Sequence, residues 1–190
     1  MGLNQEQREI VEEVKDDTNI ETRSWSKYNG DVVCGIIKNH IIDNHLPSNK
    51  SIVGPHVFIE GVPNELDLIM INKDAKPKEF INCFNIEDVY VIIEIKKSGT
   101  DYGKKGNKHP LEKTRNIFDE IKKIKQEIIL CCLSIQDTIP VYDTSIKYYD
   151  ESKEALKPYE YFALSNCPNY KSHRRLEKEW QNFLKHLKLI

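Results

Sequence analysis

The chain has 190 residues, 39% apolar and 31% charged, enough for one folded domain with a real core. That balance excludes a disordered polymer, and no apolar run approaches the roughly 18 residues of a membrane span. A formal net charge of −2 excludes a uniformly basic nucleic-acid binder, so charge has to be read locally. The opening MGLNQEQREIVEEV has no basic region followed by an apolar stretch, so no secretory signal is expected. Gly2 is followed by Glu6 where a myristoylation pattern wants Ser or Thr. Five irregularly spaced cysteines with no C-x-x-C pair fit reduced, mostly buried thiols in a cytoplasmic protein. The six histidines lack zinc-site spacing.

Residues 4–16 have helical apolar spacing through Ile10, Val11 and Val14. The first 21 residues hold seven acids against two bases and should form a solvated acidic face. A second helix is expected from Asp31 to His45, striped by Val33, Ile36, Ile37, Ile41 and Ile42 and stopped by Leu46-Pro47-Ser48. A first strand should span 51–60, with Gly61-Val62-Pro63-Asn64 as the turn. The strand carrying Asp67 follows, ending near Asn72, and a polar connector over 73–87 leads to the strand carrying Glu94.

Residues 96–108 form a loop with five lysines and one acid. Pro110 suits the first turn of a helix reaching Lys125, and 127–134 is a buried strand. Tyr142–Tyr149 is either an edge strand or a loop; 159–164 is a last strand and 172–189 a closing helix. The expected order is helix, helix, three strands, helix, two strands, helix, with one mixed sheet flanked by helices.

Two strands concentrate the chemistry. Glu65-Leu66-Asp67-Leu68-Ile69-Met70-Ile71 and Val89-Tyr90-Val91-Ile92-Ile93-Glu94-Ile95-Lys96-Lys97 are apolar runs with charges set into them. Burying such charges is costly unless they pair or hold a metal. Glu94 and Lys96 are two apart and share a strand face, which Asp67 can reach from a neighbouring strand. Glu-x-Lys alone is a worthless motif, since it occurs four times here; only Glu94-Ile95-Lys96 follows five apolar residues. No Ser-His-Asp or Cys-His arrangement and no Gly-rich phosphate loop can be assembled.

An apolar strand with Asp, a connector, then an apolar strand ending in Glu-x-Lys resembles the PD-(D/E)XK nuclease superfamily. The order of elements over residues 28–135 looks like that family's αβββαβ core, and an uncharacterised bacterial and phage branch in particular. The resemblance implies an α/β, restriction-endonuclease-like fold, here one domain over 1–190 with a helical N-terminal extension and a C-terminal strand and helix. It implies a nuclease hydrolysing phosphodiester bonds, of DNA in the first instance, through attack by a Mg²⁺-bound water. Asp67, Glu94 and Lys96 match the catalytic positions. Asp67, Glu94 and the Ile95 carbonyl would ligate Mg²⁺, for which Mn²⁺ can substitute.

Glu65 and Asp31 are accessory candidates, and Lys97, Lys104, Lys105, Lys108 and Lys113 are candidates for contact with nucleic acid. A homodimer follows if both strands of a duplex are cut. One feature departs from the family pattern: many members carry a further Glu on the helix before the strands, where this chain reads Gly30-Asp31-Val32-Val33-Cys34-Gly35. Three readings therefore stand: the enzyme, a non-catalytic nucleic-acid-binding or regulatory module of the same fold, and a structural ion-pair cluster in an interaction protein.

Overall fold

The structure is a computed structural model that describes residues 2–18, 26–78, 81–98, 110–137, 145–166 and 178–190. Helices α1 (Leu3–Thr18) and α2 (Ser26–Asn44) precede β1 (Lys50–Val53), β2 (Val57–Ile59), β3 (Val62–Leu66) and β4 (Leu68–Asn72). Next come β5 (Cys83–Phe84), a short 3-10 turn (Ile86–Asp88) and β6 (Val89–Ser98). The chain ends with α3 (Pro110–Ile124), β7 (Ile129–Asp137), α4 (Ser145–Leu156), β8 (Glu160–Asn166) and α5 (Glu179–His186).

Five strands make the main sheet in the order β1-β4-β6-β7-β8. The β1–β4 and β4–β6 pairs are antiparallel, whereas β6–β7 and β7–β8 are parallel, so the sheet is mixed. Each parallel step needs a crossover, and α3 and α4 supply them. A small sheet, β3-β2-β5, packs beside the large one.

Strand β4 shows why its sequence is apolar without a break. Leu68 and Met70 face a core built with α1, α2 and α5, whereas Ile69 and Ile71 face a second core with α3, α4 and the small sheet. Strand β6 alternates likewise, Val91, Ile93 and Ile95 to the first core and Ile92 to the second. The adjacent Cys131 and Cys132 point to opposite faces for the same reason. Trp180 and Phe183 stack with ring centroids 5.2 Å apart, and Phe162 meets Phe183 edge-on, which fixes α5 to β8.

Several expectations need correction. The strand expected over 51–60 breaks at Gly54-Pro55-His56, where Gly54 has φ 140° and His56 φ 62° and Pro55 has no N–H to offer a ladder. The Asp67 strand also breaks: β3 belongs to the small sheet and β4 to the large one, with Asp67 at the crossing. The 73–87 connector contains β5 and the 3-10 turn, which Asn85 caps by accepting from the Glu87 N–H.

Residues 145–156 are a helix, neither edge strand nor loop. Ser152 and Leu156 are both fully buried at helical spacing, which outweighs the strand signal of the tyrosines. The closing helix begins at Glu179 among the described residues. Finally, the N-terminal acidic face is not all solvated: Glu6 is buried against α2, 2.9 Å from His45 Nε2 and 3.1 Å from Asn44 Nδ2.

Candidate active site

The site begins where the chain changes sheets. The β4–β6 register, Leu68 opposite Ile93 and Ile69 opposite Ile92, would set Leu66 opposite Ile95 if it continued. Leu66 instead pairs with Val57 in the small sheet, so the Ile95 N–H loses a backbone acceptor. The Asp67 carboxylate takes that place: Oδ2 accepts from Ile95 N at 2.7 Å. Asp67 is thus held at the mouth of β6 by a main-chain donor.

On β6, Glu94 and Lys96 follow Ile92 onto the second-core face by strand alternation. Lys96 Nζ donates to Glu94 Oε1. Their side chains are 34% and 18% exposed, so the pair is only partly wet. Register places Glu94 beside Cys132 and Lys96 beside Ser134, both buried on β7.

Electrostatics follow from this crowding. Burial first, then the Glu94 charge, pushes Asp67 up to about 6, against the opposing pull of the Ile95 N–H and Lys96. Burial works against charge on Lys96, yet Glu94, Asp67 and Cys132 outweigh it and raise its pKa, so it stays an ammonium. Burial, followed by the charges of Asp67, Asp31 and Glu94, pushes the Cys34 thiol up. Cys34 on α2, in the first core, is therefore a neutral thiol within the field of these acids, in the stretch where the family pattern has a carboxylate.

The accessory candidates meet through His56, which lies at the break between β1 and β2. His56 Nε2 lies 3.0 Å from Asp31 Oδ1, and its Nδ1 meets Glu65 Oε1. The Glu65 hydrogen bond, then that of Asp31, raises the His56 pKa. The signal available was its place directly after Gly-Pro, at a break between strands. Lys38, one turn beyond Cys34, was also missed; its Nζ donates to the Gly54 carbonyl at 3.2 Å.

Lys113 is exposed on α3, Lys97 is described only in its backbone on β6, and Lys104, Lys105 and Lys108 lie outside the described residues.

The donor set suits a hard cation. Two carboxylates within each other's field, one of them raised first by burial and then by the other's charge, are relieved by a bound divalent ion. Among the described residues no group of three His, Cys, Asp or Glu could hold a metal. The remaining positions would fall to the Ile95 carbonyl, water and phosphate, as Mg²⁺ sites commonly arrange.

No family model and no curated protein matches the chain. Among solved structures it is similar to NucC of P. aeruginosa ATCC27853 in its cAAA-bound form, with a TM-score of 0.55 and 12% identity. That match covers 80% of this chain and 69% of the other. NucC of E. coli MS115-1, also cAAA-bound, gives a TM-score of 0.56 and 11% identity over 81% of this chain and 70% of that one. At such identities the likeness speaks for the fold, and with the mixed sheet flanked by helices it shows that this chain has the restriction-endonuclease-like fold.

Proposed function

We propose that the chain is a Mg²⁺-dependent nuclease that hydrolyses phosphodiester bonds of nucleic acid, DNA in the first instance. The observation that carries this is the raised, main-chain-tethered Asp67 beside the Glu94–Lys96 pair at the mouth of β6. The restriction-endonuclease-like fold is compatible with it, but fold alone does not fix activity.

Asp67 and Glu94 would hold the cation, with the Ile95 carbonyl as a third oxygen. When bound, Mg²⁺ acidifies a water and neutralises charge building on the scissile phosphate. Lys96, kept protonated by its two acidic neighbours, faces that developing charge as an electrostatic group rather than a base. The Ile95 N–H fixes one Asp67 oxygen, which leaves Oδ1 as the oxygen to present to a cation. Lys113 and the lysines of residues 97–108 are proposed to contact backbone phosphates, and a twofold dimer would let two sites serve two strands.

The test is cleavage of plasmid and oligonucleotide substrates with Mg²⁺ or Mn²⁺, with and without cAAA, the molecule bound in both similar structures. Cutting that disappears in Asp67→Asn and Lys96→Met supports the assignment. Cutting that survives both, or no cutting under any of these conditions, overturns it. A second reading, a binding module without turnover, draws on Cys34 standing where an acid was sought. It expects DNA binding that Asp67→Asn leaves unchanged.

A further inference from the structure

A turn that no catalytic role explains ties helix α2 to Asp67. Gly54 leaves β1 with φ 140°, and a methyl group there would lie 2.0 Å from the Asp67 carbonyl oxygen and 2.7 Å from Leu68 Cδ2. Contact at 2.0 Å is impossible, so only glycine lets the turn sit against the backbone that carries Asp67. Two residues on, His56 holds φ 62°, a left-handed conformation that residues other than glycine adopt at a cost. Such conformations persist where surrounding contacts over-determine them, and they gather at functional sites.

The contacts that hold this turn come from two directions. From α2, Lys38 donates to the Gly54 carbonyl at 3.2 Å and Asp31 meets His56 Nε2 at 3.0 Å. From the strand crossing, Glu65 meets His56 Nδ1 and the Asp67 backbone abuts Gly54. Lys38 and Asp31 lie seven residues apart, two turns along one face of α2. The turn is therefore gripped by α2 on one side and grips both flanks of Leu66 on the other.

We propose that Gly54-Pro55-His56 is a positioning clasp, through which Lys38 and Asp31 on α2 set the place of the Asp67 carboxylate. Asp31 and Glu65 then act through His56 as positioning residues, not as ligands of a cation. This rests on the nuclease reading for its consequence, but the coupling itself is a property of the fold. It also gives α2 a means of altering the site: a shift of the helix moves the turn, and the turn moves the strand crossing.

Three variants test the clasp: Lys38→Met, which keeps the aliphatic stem, His56→Ala, and Gly54→Ala. The structural readout is the Ile95 amide, whose acceptor is Asp67. Its exchange with solvent is followed by NMR beside Ile93 and Leu133 as controls in the same sheet. The functional readout is Mn²⁺ affinity by calorimetry, with melting temperature monitored alongside.

Lys38→Met and His56→Ala should speed Ile95 exchange about fivefold, the factor for losing roughly one net hydrogen bond. They should weaken Mn²⁺ by about tenfold, as loss of groups that orient ligands does, while the control amides hold. Lys38→Arg should restore both. Gly54→Ala should speed Ile95 exchange as well, since its methyl would displace the Asp67 backbone, and unchanged Ile95 exchange in folded Lys38→Met and His56→Ala overturns the proposal. Should the wild type fail to bind Mn²⁺ while Ile95 exchange still responds, the clasp stands and the metal reading falls.

Discussion

Asp67 should make the folded protein less stable as pH rises, and Asp67→Asn should remove that loss. Its carboxyl is moved from 3.8 to about 6 by burial and by Glu94. Below the lower value it is protonated in both folded and unfolded chains and contributes nothing. Between the two values the folded chain keeps a proton that the unfolded chain has released, so stability falls with pH. Above about 6 the full penalty is present. A shift of roughly two units at about 1.4 kcal/mol each puts it near 3 kcal/mol.

Asparagine is nearly the same size, and its Oδ1 can still accept from the Ile95 N–H, so little else changes. In a chain of this length about 3 kcal/mol corresponds to roughly 6–12 °C of melting temperature. Circular-dichroism melts of both proteins in a chelator, from about pH 4 to pH 8, read the difference directly. The gap should be near zero at the acid end and largest above about pH 7. An Asp67→Asn protein that is less stable at about pH 8, or a gap that does not widen with pH, refutes the electrostatic account of the site. Millimolar Mg²⁺ or Mn²⁺ should then raise the wild-type melting temperature at about pH 8 and leave the variant unmoved, because only a site that binds the folded state stabilises it.

Lys96→Met removes the cation that lowers the Asp67 pKa, so Asp67 should titrate above about 6, and the loss of stability, which still begins near 3.8, should continue to higher pH and grow; an unchanged pH profile would show that Lys96 does not act on Asp67. Gln7→Ala loses two buried hydrogen bonds, to the Leu164 carbonyl at 2.8 Å and from Trp180 N at 3.0 Å, and should cost about 2–3 kcal/mol in urea unfolding. Glu6→Ala leaves His45 and Asn44 without their carboxylate and should cost about 1–3 kcal/mol, while Glu13→Ala at the exposed end of the same helix pair should cost less than about 1 kcal/mol. Phe118→Ala opens a cavity in the fully buried core beneath α3 and should cost about 3–5 kcal/mol.

Periodicity and composition made α1, α3, β6 and the sheet-and-helix class legible, because each follows from a burial pattern repeated over many residues. Breaks were illegible for the complementary reason. Residues 65–71 form one apolar run, yet the chain passes from one sheet to another in the middle of it, and side-chain type does not record which neighbour a backbone pairs with. Gly54-Pro55-His56 carried a visible turn signal, but its contacts depend on Asp31 and Lys38, well upstream on another element. α4 was missed because Tyr148 and Tyr149 favour strands, while the burial of Ser152 and Leu156 depends on β8, a partner outside the segment. Cys34 was read as a core thiol, which it is; that it feels the charges of Asp67 and Asp31 is a property of the packed helix.

The crossing at Asp67 explains why a charged group persists between two apolar strands. A chain that leaves one sheet for another must abandon a ladder position, and the N–H left behind needs an acceptor. A backbone carbonyl would satisfy it without charge, and so would an asparagine. Carboxylate is the costly solution here, since burial and Glu94 both oppose it. An arrangement that satisfies the ladder while leaving one anionic oxygen unspent makes sense where a cation is to be met, and its cost to folding is the kind that functional sites retain. The decisive comparison is therefore between the wild-type chain and its Asp67→Asn variant, across pH and with metal: the same fold and the same hydrogen bond, differing by one charge.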